Sequence, residues 1–161
     1  MTMTSKPSSP PRSKVSRRGL FARLAAAGAA GAVAFRSSRA AADDGIMRVA
    51  YHLSEADRVG FVLGNIDNHI AGAGGPEKIE IVLVVHGPAL TAFHQSKANP
   101  DIASRVAGLS EAGVELDACG NTMAGQKVEL SDLLPGFIRV DQGGVTRLAE
   151  LQAQGYAYLR P

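Results

Sequence analysis

Lys78-Ile79-Glu80-Ile81-Val82-Leu83-Val84-Val85-His86-Gly87-Pro88 is the stretch whose reading decides the fold. From Ile81 to Val85 it is apolar without interruption. A strand with one wet face alternates apolar and polar residues. An unbroken apolar strand is covered on both faces, as in parallel sheets flanked by helices. Gly87-Pro88 ends the run and leaves His86 at its carboxyl end.

Upstream, Ile46-Met47-Arg48-Val49-Ala50-Tyr51-His52 predicts a first strand, again closed by a histidine. Ser54 and Asp57 then read as a capping box. Val59, Val62, Leu63, Ile66 and Ile70 recur at helical spacing, which predicts a helix over residues 55–70. Residues 71–76, rich in glycine, form a loop.

Downstream, residues 89–94 predict a short helix with His94 on its surface. Asn99-Pro100 is an N-cap followed by an N1 proline, opening a helix with Ile102, Val106 and Leu109 inward and ending at Gly113. Residues 114–119 predict a third strand ending in Cys119, and Asn121 is placed to cap a short helix through Gln126. Residues 137–141 predict a fourth strand. Gly143-Gly144 opens a helix with Val145, Leu148 and Leu151 inward, and residues 156–159 predict a fifth strand. Strands alternating with helices define an α/β domain with a mostly parallel sheet.

The first 42 residues differ in composition. They carry eight of the 17 Lys and Arg residues and none of the 15 Asp and Glu. Ser16-Arg17-Arg18-Gly19-Leu20-Phe21 precedes an Ala/Gly-rich apolar stretch, and residues 37–42 supply small residues at signal-peptidase spacing. This resembles a twin-arginine export signal cleaved after Ala42. The apolar stretch is short and interrupted by Arg23, which argues against a spanning helix. On this reading the membrane is met only during export, and the location is periplasmic. The remaining 119 residues form one domain with nine basic residues against 15 acidic ones, a net charge of −6. That balance offers no basic nucleic-acid surface.

Because the sheet is mostly parallel, His52, His86, Cys119 and residues 141–144 stand at one edge, the carboxyl edge where α/β sheets bind ligands. Cys119 is the sole cysteine, so the chain has neither an internal disulfide nor a Cys-x-x-Cys pair. A free thiol with a pKa near ~8.5 is little ionised at neutral pH, but a following helix N-terminus favours the anion. A buried, inert cysteine is the alternative. His86 can activate Cys119 if the second and third strands are neighbours. His52 and Asn121 are supporting candidates. The donor types of His52, His86 and Cys119 suit a transition metal, yet their spacing matches no compact ligand motif. Gly143-Gly144 reads as a packing turn. No cofactor motif is present in the sequence.

Five segments together resemble the DsrE/DsrF-like family of small sulfur-relay proteins. They are Tyr51-His52-Leu53-Ser54, Val84-Val85-His86-Gly87-Pro88, residues 113–123 around Asp117-Ala118-Cys119-Gly120-Asn121-Thr122, Val140-Asp141-Gln142-Gly143-Gly144-Val145, and Gln154-Gly155-Tyr156-Ala157-Tyr158. The resemblance spans residues 47–161. It implies a three-layer α/β/α domain with a five-stranded sheet and a homo-oligomer, trimer or hexamer. It also implies a persulfide-carrying cysteine, a role that falls on Cys119, with sulfur donor and acceptor proteins as partners. A non-catalytic oligomeric module that binds a small ligand or metal is the other reading, and a thiol-dependent transferase a third.

Overall fold

Five strands, all parallel, form one sheet in the order β4-β3-β2-β1-β5 in a computed structural model that describes residues 45–161. The leader read into residues 1–42 lies outside the described residues. The elements are β1 (Met47–Leu53), α1 (Val59–Ala73), β2 (Ile79–Val85), α2 (Pro100–Glu111), β3 (Glu115–Cys119), α3 (Gly120–Gln126), β4 (Phe137–Val140), α4 (Gly144–Ala153) and β5 (Ala157–Leu159). Among the described residues no helix is long and apolar enough to cross a membrane.

The topology follows from handedness. From β1 to β4 the chain steps one strand at a time in one direction, then from β4 it returns across the whole sheet to β5. Right-handed crossovers put connections that run in opposite directions on opposite faces. So α1, α2 and α3 share one face and α4 crosses the other. The first face is thick. Val49, Tyr51, Leu53, Ile81, Leu83, Val85, Leu116 and Phe137 meet Val62, Leu63, Ile66, Val106, Leu109, Phe93 and Met123 there. The second face is thin: Ala50, Val82 and Val84 pack against Leu148 and Leu151. The expected three layers are present, with unequal covers.

β2 has the burial its sequence demands, with residues 81–85 all buried. Asn99 caps α2 as expected, accepting the Ile102 N–H at 2.8 Å. Other expectations fail locally. The Ser54 capping box does not form: Ser54 Oγ donates to Glu55 Oε2 at 2.8 Å, and a 3-10 turn, Ala56–Arg58, leads into α1. Residues 89–94 are not a surface helix. Gly87–Phe93 is a 3-10 stretch, and His94 is buried with its Nε2 2.8 Å from Gln126 Oε1. Val145 faces out, 71 % exposed, because it precedes the turn of α4 that meets the sheet through Leu148 and Leu151.

Candidate functional site

Side chains alternate along a strand, so Glu115, Asp117 and Cys119 all point to the thin face of β3 while Leu116 and Ala118 enter the thick core. At the carboxyl end of β3 the chain turns into α3 toward the thick face. At the end of the neighbouring β4 it turns into α4 toward the thin face. Adjacent strands whose connections leave in opposite directions open a crevice between them, the switch point at which α/β sheets hold ligands. Cys119 lies in it. A cavity of about 250 Å³ there is lined by Cys119, His86, Asn121, Thr122, Gln142, Gly143, Gly144, Val145 and Thr146.

Cys119 is itself the N-cap of α3, and the expected cap from Asn121 is absent. Asn121 stands inside the first turn, exposed, and contributes through its backbone. Burial pushes the Cys119 thiol up, but four hydrogen bonds outweigh it: one from the Thr122 hydroxyl and three from the backbone N–H groups of Gly144, Thr122 and Asn121. The balance holds the thiol below its ordinary range. The Thr122 hydroxyl is fixed from behind, because its Oγ1 accepts the Gly87 N–H at 3.0 Å.

Thr122 and Gly144 are the residues at the sulfur that sequence reading missed. Thr122 follows Cys119 by three positions, the N3 place at which donors converge on an N-cap atom, and that spacing was the available signal. Gly144, read as part of a packing turn, donates its N–H from α4 to the sulfur. Glycine lets it come close: a Cβ there would sit 3.3 Å from Val84 Cγ1 and 3.4 Å from both Cys119 Cβ and His86 Cβ, tight enough to push these neighbours apart. Gly143 has φ +88°, and a Cβ on it would meet Asn121 Nδ2 at 2.6 Å.

One turn into α4, Arg147 pins the helix to the strand that carries the thiol. Its Nε donates to Asp117 Oδ2 at 2.8 Å and its Nη2 to Glu115 Oε1 at 2.6 Å. Asp117 is fully buried and its Oδ1 has no hydrogen-bond partner. Burial pushes its carboxyl up to about 6 despite the Arg147 guanidinium, with Glu115 adding in the same direction.

β2 and β3 are neighbours, as activation of Cys119 by His86 requires, and His86 lines the cavity. Its side-chain hydrogen bond, however, runs the other way: His86 Nε2 lies 2.5 Å from His52 Nε2. His52 in turn has its Nδ1 2.6 Å from the Tyr158 hydroxyl. Burial, the other ring and Arg160 lower His52 to about 4; burial and Arg160 lower His86 as well. His52 therefore joins the site through His86 rather than through the sulfur. Among the described residues no cluster of three or more His, Cys, Asp or Glu is placed to hold a metal ion. A larger cavity of about 450 Å³, beside Tyr51, His69 and Arg160, contains none of Cys119, His86, His52 and Asn121.

The architecture is a parallel α/β domain with a cysteine at a strand-end switch point, its thiol held below the ordinary range by hydrogen-bond donors. Comparison with known proteins gives the class a name. The sequence model of the DsrE/DsrF-like family matches residues 10–161, so the chain belongs to that family, one of sulfur relay in general. The structure of MTH1491, a protein of unknown function from Methanobacterium thermoautotrophicum, is similar with a TM-score of 0.63 and 27% identity, covering 71% of this chain and 99% of that one. The ychN protein from E. coli has the same fold, with a TM-score of 0.52 and 13% identity over 71% of this chain and 100% of its own. No curated protein matches the chain.

Proposed function

We propose that the protein is an exported sulfur carrier that holds sulfane sulfur as a persulfide on Cys119 and passes it to a partner protein. One observation carries the reading: four hydrogen-bond donors converge on the Cys119 sulfur inside a cavity open to a small reactant. Donors aimed at a sulfur stabilise its anion, and the thiolate is the attacking species in sulfur transfer. Family membership supports sulfur relay as the broad class. With one cysteine, the exchange is between molecules, so a donor and an acceptor protein are required. His86, on the cavity wall, is the second residue assigned to the chemistry. A homo-oligomer, trimer or hexamer, belongs to the same reading. So does the twin-arginine leader, which makes the site periplasmic and the mature N-terminus Asp43.

Intact-mass measurement after exposure to a sulfane-sulfur donor tests it. One added sulfur atom on the native chain, absent from Cys119→Ser, is the expected result. An equal gain in the serine variant removes the assignment. The 6 % exposure of Cys119 favours a second reading, a binding module in which the thiol is packed and inert. A native thiol that resists a small alkylating reagent until the protein is denatured would select that reading instead.

A further inference from the structure

Beside the thiol cavity a line of titratable side chains crosses the carboxyl edge of the sheet. The order β5-β1-β2-β3 sets Tyr158, His52, His86 and Cys119 on four successive strands or their ends. Tyr158 pairs with Ala50 and His52 with Val84, so the side chains share the thin face. The links are short: 2.6 Å from the Tyr158 hydroxyl to His52 Nδ1, then 2.5 Å from His52 Nε2 to His86 Nε2. The two imidazoles meet tip to tip, their centroids 4.7 Å apart and their planes 22° from parallel.

At that separation one proton fits between the two Nε2 atoms. A neutral imidazole has one donor and one acceptor nitrogen, so fixing that proton fixes the rest. If His52 Nε2 holds it, Tyr158 donates to His52 Nδ1 and His86 carries its own proton on Nδ1, on the ring that lines the cavity. If His86 Nε2 holds it, His52 Nδ1 donates to the Tyr158 oxygen and His86 Nδ1 is an empty base. The arrangement is therefore a chain with two self-consistent polarities. Tyr158 is 40 % exposed, which connects its far end to water.

We propose that Tyr158, His52 and His86 are a reversible proton wire for sulfur transfer at Cys119, a role that rests on the sulfur-carrier reading. In loading, the Cys119 thiolate attacks the outer sulfur of a persulfide R–S–SH. The Cys119–S bond forms, the donor S–S bond breaks, and the departing thiolate RS⁻ takes the proton of His86 Nδ1. His86 Nε2 is refilled from His52, His52 Nδ1 from Tyr158, and Tyr158 from water, which leaves the wire in its second polarity. In unloading, an acceptor thiol R′SH gives its proton to His86 Nδ1, and R′S⁻ attacks the outer sulfur of Cys119–S–SH. R′S–SH leaves, the Cys119 thiolate returns, and the proton runs out through Tyr158. The second half-reaction thus resets the first. No oxidant is needed, because the sulfane sulfur keeps its oxidation state throughout. Both rings stay neutral in either polarity: burial and Arg160 disfavour a charged ring and outweigh the Glu55 carboxylate, which favours one and is itself paired with Arg160. His86 is the catalytic residue of the wire; His52 and Tyr158 are positioning residues that act through it.

The test follows loading from glutathione persulfide and unloading to glutathione by mass, between pH 6 and 8, in the wild-type chain, Tyr158→Phe and His52→Gln. Native alkylation of Cys119 by iodoacetamide is measured beside them. The wire predicts alkylation within about twofold of wild type. It predicts loading and unloading slowed by about ten- to a hundredfold, at or below the usual range for proton-transfer catalysis. Lacking the wire, the variants rely on water: their loading slows as pH rises and their unloading slows as pH falls. Loading and unloading at wild-type rates in both variants, or losses that only parallel the loss in alkylation, overturn the wire and leave the carrier reading standing. A wild-type chain that takes up no sulfur overturns the carrier reading and the wire with it. Tyr158→Phe, a surface change without loss of ring volume, keeps the test independent of any folding defect in His52→Gln.

Discussion

The two faces of the sheet do different work. On the thick face, apolar side chains from α1, α2, α3 and the 3-10 stretch Gly87–Phe93 interlock with every second residue of four strands. On the thin face a single helix sets Leu148 and Leu151 on three buried apolar residues of the sheet, and its first turns are tied down by an ion pair to a buried carboxylate. Burial of a large apolar side chain contributes about 1.5–3 kcal/mol, so the thick face accounts for most of the stability. The thin face gives up that gain to place charges, a thiol and three titratable rings beside one another. Segregating the two tasks lets the site carry a desolvated Asp117 and a thiol ringed by hydrogen-bond donors without thinning the core.

The contrast predicts how each face breaks. Phe93 is fully buried on the thick side, its ring 5.1 Å from that of Phe137. Phe93→Ala is expected to cost about 3–5 kcal/mol in urea unfolding. Native alkylation of Cys119 should stay at its wild-type rate, since no donor to the sulfur is removed. A slowed alkylation in the folded variant would show that the faces are coupled.

Arg147→Met attacks the thin side. It leaves Asp117 buried without its cation, which costs about 3 kcal/mol at pH 7.5. The carboxyl, already raised to about 6, rises further without the guanidinium. A carboxyl raised in the folded state adds stability below its unfolded pKa and loses it as pH rises through the folded value. The deficit relative to wild type should therefore shrink between pH 7.5 and 5. Thermal unfolding at the two pH values measures it, and a deficit that grows on acidification would contradict the assignment.

The fold was legible because its signals are local. The apolar run Ile81–Val85 demanded cover on two faces, and Asn99-Pro100 demanded a helix start. Parallel strands then brought His52, His86 and Cys119 to one edge without any knowledge of strand order. The site was only half legible, because its contacts are long-range. Tyr158 and His52 are 106 positions apart, and their meeting depends on β5 returning to the far edge beside β1. The reach of Gly144 depends on the path of α4 across the thin face, which also leaves Val145 exposed where helical spacing had put it inside. Ser54 failed as a cap for a local reason: a 3-10 turn, Ala56–Arg58, comes before α1, which starts only at Val59 and leaves Ser54 too far upstream to reach its first N–H groups.

Thr122 ties the two faces together at the sulfur. It belongs to α3, whose Met123 is part of the thick core, yet its hydroxyl donates to Cys119 on the thin side and accepts from Gly87 N–H on the β2 side. Thr122→Val keeps the volume and removes the hydroxyl. A hydrogen bond to an ionised group contributes about 1.5–3 kcal/mol, and its loss disfavours the thiolate, so the thiol pKa should rise. The N–H groups of Gly144, Asn121 and Thr122 itself remain, which keeps the change smaller than loss of the whole cradle. Alkylation rate followed against pH should show its midpoint displaced upward, with the plateau at high pH unchanged. A midpoint that stays in place would assign the low thiol pKa to the backbone donors alone. The comparison would then sharpen: the thick face would supply Met123 as an anchor for α3, and the chemistry at Cys119 would rest on where the chain turns rather than on any side chain beside it.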